Sequence, residues 1–160
     1  MSQRESRHRT MSRRQVLMGS TGCGLAIAGS IMLPRAATAT PAEADALIAK
    51  LVGHTKPTAG RIKLQLPQIA ENGNSVEFSV SVDSPMTEKD YVKSIHVIAD
   101  QNPFPEVATF FLSPANGKAA VTMRMRLAKT QKVRAIALMS DGSVCEAQQE
   151  VKVTIGGCGG

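Results

Sequence analysis

The sequence is poor in aromatic side chains, with no Trp, one Tyr and four Phe in 160 residues. Few rings are therefore available for stacking on nucleobases. Histidine is almost as scarce, and only His54 and His96 fall outside the first 39 residues. There is no H-x-x-x-H, no C-x-x-C and no run of carboxylates at ligand spacing, whereas a metal centre needs several such side chains converging. A G-x-S-x-G elbow and a phosphate-cradling glycine loop are missing too. These absences remove the common signatures of metalloenzymes, α/β-hydrolases and nucleotide-binding proteins. A long apolar run is also lacking, because Gly and Ser interrupt the stretch from Leu17 to Leu33, which makes a poor membrane span.

What the N-terminal segment does have is the pattern of an export signal. Ser12-Arg13-Arg14-Gln15-Val16-Leu17 precedes the mildly apolar stretch, and Pro34-Arg35-Ala36-Ala37-Thr38-Ala39 ends it in Ala-x-Ala form. A basic start, a short apolar centre and small residues at the end mark a cleaved leader. The paired Arg13 and Arg14 point to the twin-arginine route, which carries folded cargo, so the domain is expected to fold inside and work in the periplasm. Cleavage is placed after Ala39. An uncleaved anchor and lipidation at Cys23 are the rival readings, but Ser20 stands where a lipid signal wants Leu and apolar residues continue past Cys23.

The leader also accounts for the basic character of the chain. Six of the 19 Lys and Arg and one of the 13 Asp and Glu lie in it, so residues 40–160 carry 13 against 12. A nearly neutral mature chain without a basic block has no electrostatic footprint for nucleic acid. About 120 residues suit a single domain with one core.

Thr40-Pro41-Ala42-Glu43 has the form of a capping box with Pro at the first helical position, and Leu47, Ile48, Leu51 and Val52 follow as one helical stripe ended by Gly53. After Gly60 the period changes to two. Val76, Phe78, Val80 and Val82 alternate with Glu77, Ser79 and Ser81, and Ala119, Val121, Met123, Met125 and Leu127 alternate with Ala120, Thr122, Arg124 and Arg126. Weaker strands are expected near Ile62–Leu66, Tyr91–Ala99, Val107–Leu112, Val133–Met139 and Val151–Ile155. Turn formers separate them at Asn72-Gly73-Asn74, Asp83-Ser84-Pro85, Gln101-Asn102-Pro103, Asn116-Gly117 and Asp141-Gly142. About seven short strands without intervening helices predict a mainly β fold, an immunoglobulin-like antiparallel β-sandwich with a short N-terminal helix. The domain organisation is thus a leader over 1–39, a sandwich over 40–155 and a C-terminal arm over 156–160. Two strands, Tyr91–Ile98 and Arg134–Met139, are apolar on both faces. Either a helix and a second sheet cover both sides, or a protein partner covers one.

The arm holds the one thiol in an unusual setting. Gly156, Gly157, Gly159 and Gly160 surround Cys158, and four glycines in five residues make a flexible tether reaching at most ~17 Å. No Lys, Arg or His is near it in sequence, so at an ordinary thiol pKa only ~3% is thiolate at pH 7. A thiol that is reachable but not self-activated does not suit a cysteine hydrolase, whose nucleophile is held beside a base. It suits a carrier that delivers its thiol to other proteins' active sites. The competing reading is a structural module whose terminal cysteine forms a disulfide-linked dimer in an oxidising compartment. A bridge to Cys145 is opposed by geometry. One extended strand over 145–155 spans ~33 Å, and Gly156-Gly157-Cys158 can return only ~10 Å, so closure needs a break near Gln148-Gln149. Cys145 shares parity with Ala147, Val151, Val153 and Ile155, which reads as a buried structural thiol. His96 reads as a packed strand residue rather than a ligand.

The ending Val151-Lys152-Val153-Thr154-Ile155-Gly156-Gly157-Cys158-Gly159-Gly160 resembles the C-terminus of the SoxY family, the sulfur carriers of the periplasmic Sox thiosulfate-oxidising system. Val82-Asp83-Ser84-Pro85-Met86, Asn102-Pro103-Phe104-Pro105, Met139-Ser140-Asp141-Gly142 and the twin-arginine leader are similar as well. The resemblance implies a non-enzymatic carrier without a cofactor, paired with a SoxZ-like subunit and exported folded with it. It implies covalent attachment of sulfur intermediates at Cys158, with the four glycines as a swinging arm. A SoxAX cytochrome would couple thiosulfate to the thiol, a dimanganese hydrolase, SoxB, would release sulfate, and SoxCD in many organisms would oxidise the remaining sulfur. It suggests no role for Cys145.

Overall fold

The computed structural model describes residues 40–157. The leader with Arg13 and Arg14, and the tail residues Cys158, Gly159 and Gly160, lie outside the described residues.

The described part opens with helix α1 (Pro41–Val52), begun by the anticipated capping box: the Thr40 N–H donates to the Glu43 carboxylate at 2.9 Å. Among the described residues, eight strands follow: β1 (Ile62–Gln65), β2 (Ile69–Asn72), β3 (Val76–Val82), β4 (Val92–Ala99), β5 (Glu106–Phe111), β6 (Ala119–Met125), β7 (Gln131–Met139) and β8 (Val144–Ile155). They form a three-stranded sheet, β1-β3-β6, and a five-stranded sheet, β2-β8-β7-β4-β5. The expected sandwich is present. The side-chain alternation of β3 is the clearest reason, since Val76, Phe78, Val80 and Val82 are all buried while the residues between them are not. Each such Val or Phe withdrawn from water contributes about 1.5–3 kcal/mol. On the facing sheet, Val92, Ile95, Val97 and Ala99 of β4 and Val133, Ala135, Ala137 and Met139 of β7 complete the core between the layers.

Two features depart from the expectation. The first is β2, which lies just before the expected turn at Asn72-Gly73-Asn74, where no strand was foreseen, and pairs with β8 in parallel, Ile69 opposite Lys152 and Asn72 opposite Ile155. The remaining strand pairs are antiparallel. The chain changes sheets at Leu66-Pro67-Gln68, where Pro67 has no N–H to continue the β1 ladder, and so joins the edge of the second sheet running with β8. The second is the length of β8, twelve unbroken residues from Val144. The break that a Cys145 bridge would require near Gln148-Gln149 is absent, and Cys145 is a free thiol buried in the inter-sheet core.

The two-sided strands have a simple cause. Ala44 and Ile48 of α1 pack on Ile98 of β4, Ile136 of β7 and Val144 of β8, on the face of the five-stranded sheet that points away from the sandwich core. Arg134 ties this layer together. Its guanidinium donates to Asp45 of α1 at 2.7 Å and lies 3.2 Å from the carboxylate of Asp100, just beyond β4. The turns at Asn116-Gly117 and Asp141-Gly142 have left-handed glycines, with φ of 67° and 85°.

Candidate functional site

The tail leaves the body at the end of β8, where three backbone segments meet. The Gly73 N–H donates to the Ile155 carbonyl at 2.8 Å, the Leu127 N–H donates to the Gly73 carbonyl at 2.8 Å, and the Gly157 N–H donates to the Leu127 carbonyl at 3.0 Å. Gly157 is buried by this arrangement. Gly156 and Gly157, assigned to the flexible arm from the sequence, are thus held against the body.

Glycine at 73, 156 and 157 is required by close approach. A Cβ on Gly73 would overlap the Leu127 carbonyl oxygen and stand 2.6 Å from the Gly157 nitrogen; one on Gly157 would stand 2.7 Å from the Gly73 carbonyl oxygen; one on Gly156 would overlap the Ala128 carbonyl oxygen. These obstacles are backbone atoms, which cannot rotate away as a side chain can. Gly73 therefore has a different role from the positive-φ turn expected of Asn72-Gly73-Asn74. The turn itself is made by Asn72, whose side-chain oxygen accepts from the Asn74 N–H at 2.9 Å.

The segment between β6 and β7, which supplies the Leu127 and Ala128 carbonyls, is itself braced. The Asn102 side chain donates to the Arg126 carbonyl at 2.8 Å and accepts from the Ala128 N–H at 3.0 Å and from the Gln131 amide at 2.8 Å. Gln131 is almost fully buried, donates also to the Lys129 carbonyl, and accepts from the Gln101 N–H at 2.8 Å. Thr130 accepts from the Val153 N–H at 3.0 Å, linking the same segment to the end of the strand before the tail. Hydrogen bonds of this kind contribute about 1 kcal/mol each, and several converge on this short segment.

The other candidates are structural. His96 is buried, with its two ring nitrogens 3.0 Å from the Ser94 hydroxyl and 2.9 Å from the Thr109 hydroxyl. Thr109 in turn donates to Glu106 at 2.6 Å, and the His96 ring is 3.7 Å from that carboxylate. Burial pushes the His96 pKa down, with Glu106 acting in the opposite direction. A Ser, a His and a Glu in sequence along one network suggest a hydrolytic relay, yet Ser94 is buried at 4% exposure, out of reach of a substrate. The network joins edge strand β5 to β4. His54 is exposed just beyond α1. Among the described residues, no three His, Cys, Asp or Glu side chains are gathered as a metal site, and no helix is long and apolar enough to cross a membrane.

A family model described as sulfur oxidation protein SoxY matches residues 48–158, from within α1 to the tail cysteine. The chain belongs to the SoxY family. Among solved structures, the sulfur carrier protein SoxY from Chlorobium limicola f thiosulfatophilum is 32% identical, with 72% of this chain and 100% of that one aligned at a TM-score of 0.60. Superoxide reductase (neelaredoxin) from Ignicoccus hospitalis aligns over 72% of this chain and 94% of its own at 21% identity and a TM-score of 0.52. A putative superoxide reductase from Thermotoga maritima aligns over 61% and 87% at 18% identity and 0.51. At that identity these two share the fold alone. No curated protein sequence matches. SoxY membership makes the chain a protein of sulfur oxidation with a carrier role.

Proposed function

We propose that this SoxY-family protein carries sulfur intermediates covalently on Cys158 while partner enzymes act on them. The observation that carries the reading is that the family match runs through Gly156-Gly157 to Cys158, while the other cysteine of the mature chain, Cys145, is buried in the core.

The chemistry follows from the thiol. Joining the outer sulfur of thiosulfate to the Cys158 sulfur releases one proton and two electrons and leaves an S-thiosulfonate. The electrons require an oxidant, a role for the SoxAX cytochrome. Water then cleaves the bond to the sulfonate group, giving sulfate, one proton and a persulfide (–S–SH) on Cys158, a role for SoxB. Where SoxCD is present, it oxidises that sulfane sulfur before a second hydrolysis restores the thiol. A thiol with no Lys, Arg or His beside it in sequence suits this cycle, because activation is left to each enzyme in turn. The protein itself contributes attachment and delivery, without a cofactor and without catalysing a step. It works in the periplasm beside a SoxZ-like subunit after export through its Arg13-Arg14 signal.

The test is the intact mass of protein purified without reductant from cells oxidising thiosulfate, with the C-terminal peptide fragmented. Reductant-labile sulfur or thiosulfonate on Cys158 is expected, and Cys158→Ser should abolish thiosulfate-dependent turnover while leaving fold and heterodimer intact. A uniform Cys158 disulfide dimer without adducts, or activity retained in Cys158→Ser, would overturn the reading in favour of the structural module.

A further inference from the structure

We infer that Gly73 and Asn102 are positioning residues for the carrier thiol. This inference rests on the carrier reading and deepens it. Together they make a seat for Gly156 and Gly157, so that Cys158 is presented from one fixed point at the end of β8 instead of from a five-residue tether.

Three observations converge on the seat. Gly157 is buried and bonded through its N–H to the Leu127 carbonyl. Gly73 lies close enough to Leu127 and Gly157 that any Cβ there would collide with backbone. Asn102 and buried Gln131 hold the Arg126–Lys129 backbone by hydrogen bonds to Arg126, Ala128 and Lys129. The Asn102 side chain bonds to Arg126, Ala128 and Gln131, and acts through the segment that carries the Leu127 and Ala128 carbonyls. A single peptide unit separates the seated Gly157 from Cys158, and consecutive Cα atoms across a trans peptide are about 3.8 Å apart. The seat therefore determines where the thiol starts from when a partner docks against the body. Small errors of placement in a reacting group are costly in rate.

The seat also accounts for the two glycines before the cysteine. Gly156 and Gly157 are small so that they fit against Ala128 and Gly73.

The experiment uses the full mature chain with its partner subunit in a reconstituted thiosulfate-loading reaction, varying the carrier concentration, alongside hydrogen exchange at the Gly157 amide. In the unaltered protein that amide is expected to be protected. Gly73→Ala should remove the protection and lower kcat for loading by about tenfold or more, with a smaller change in KM for the carrier. Asn102→Ala should move both readings in the same direction while leaving the tail sequence untouched. If Gly73→Ala fails to fold, Gly156→Ala serves in its place, since it lies beyond the last strand. Random-coil exchange at Gly157 in the unaltered protein would overturn the inference, and so would full kcat after protection is lost. Loading that survives Cys158→Ser refutes the carrier reading instead, whereas loading that needs Cys158 but ignores loss of the seat refutes this inference alone.

Discussion

Arg134 offers the most demanding test of the layer beneath α1. The side chains of Arg134 and Asp100 are only 15% and 5% exposed, whereas Asp45 is 62% exposed. The two ion pairs should therefore differ in value. The Asp45 pair faces water and contributes up to about 1 kcal/mol. Replacing Arg134 by Met keeps much of the aliphatic bulk but leaves Asp100 buried without its counter-charge, and breaking a buried pair costs about 3–5 kcal/mol. Burial already pushes the Asp100 pKa up, and Arg134 is the largest influence holding it down. Without the arginine, Asp100 can take a proton, which limits the penalty, so a loss of about 3 kcal/mol at neutral pH is expected. For a domain of this size that corresponds to a fall in Tm of roughly 12 °C.

The direction of the pH dependence follows from the same charges. A carboxyl whose folded pKa lies above its unfolded value binds more protons when folded, so stability is recovered as pH falls through the folded pKa toward the unfolded one. The deficit of Arg134→Met should shrink on acidification from about pH 7 toward 4, and Asp100→Asn added to it should restore most of the loss. Urea unfolding followed by far-UV circular dichroism is the suitable assay, because the chain has no Trp to report by fluorescence. A loss below about 1 kcal/mol, or a deficit that grows on acidification, would mean that Asp100 does not depend on Arg134 for its charge.

Two further outcomes are expected. Cys145→Ala removes a buried sulfur from the inter-sheet core and should cost about 1–2 kcal/mol without reducing sulfur loading measured by intact mass; a halved load would make Cys145 a second attachment site. For His96, burial lowers the folded pKa, so the unfolded chain takes up the proton first and stability should fall as pH drops from about 6.5 to that lower value. The slope is at most about 1.4 kcal/mol per pH unit. His96→Gln should flatten this portion of a stability-against-pH curve, and an unchanged slope would assign the effect to another group.

The sequence shows most clearly what depends on neighbours along the chain. The period-two runs at Val76–Val82 and Ala119–Met125 and the Thr40-to-Glu43 capping box are local signals, and each gives the element expected. β2 escapes notice because Ile69-Ala70-Glu71-Asn72 is a four-residue edge strand without alternation and ends in a strong turn motif. The start of β8 is hidden by Glu146, Gln148, Gln149 and Glu150, polar residues tolerated on a strand whose neighbours, rather than its own apolar content, hold it in place. The tail cysteine is legible because a thiol set among four glycines stands out from any strand or helix pattern. The seat is not, since Gly73, Asn102 and Gly157 come together only when the sheets close. The covering of β4 and β7 by α1 is likewise a tertiary fact: the two-sided pattern states that something covers them without stating what.

β8 is a cable as well as a strand. It lies between β2 and β7 in its sheet, and Gly156 and Gly157 follow it directly. A partner that draws the thiol into a narrow active site, pulling along the strand, pulls nearly at right angles to the hydrogen bonds that hold β8. Those bonds are then stressed together in shear instead of being peeled one at a time. The parallel pairing with β2 anchors Lys152 to Ile155, the stretch nearest the pull, and the Gly157 hydrogen bond to Leu127 is the first to feel it. Tension applied at Cys158 is therefore met first by the seat and then shared across the whole ladder, so the sheet survives a pull on its last strand.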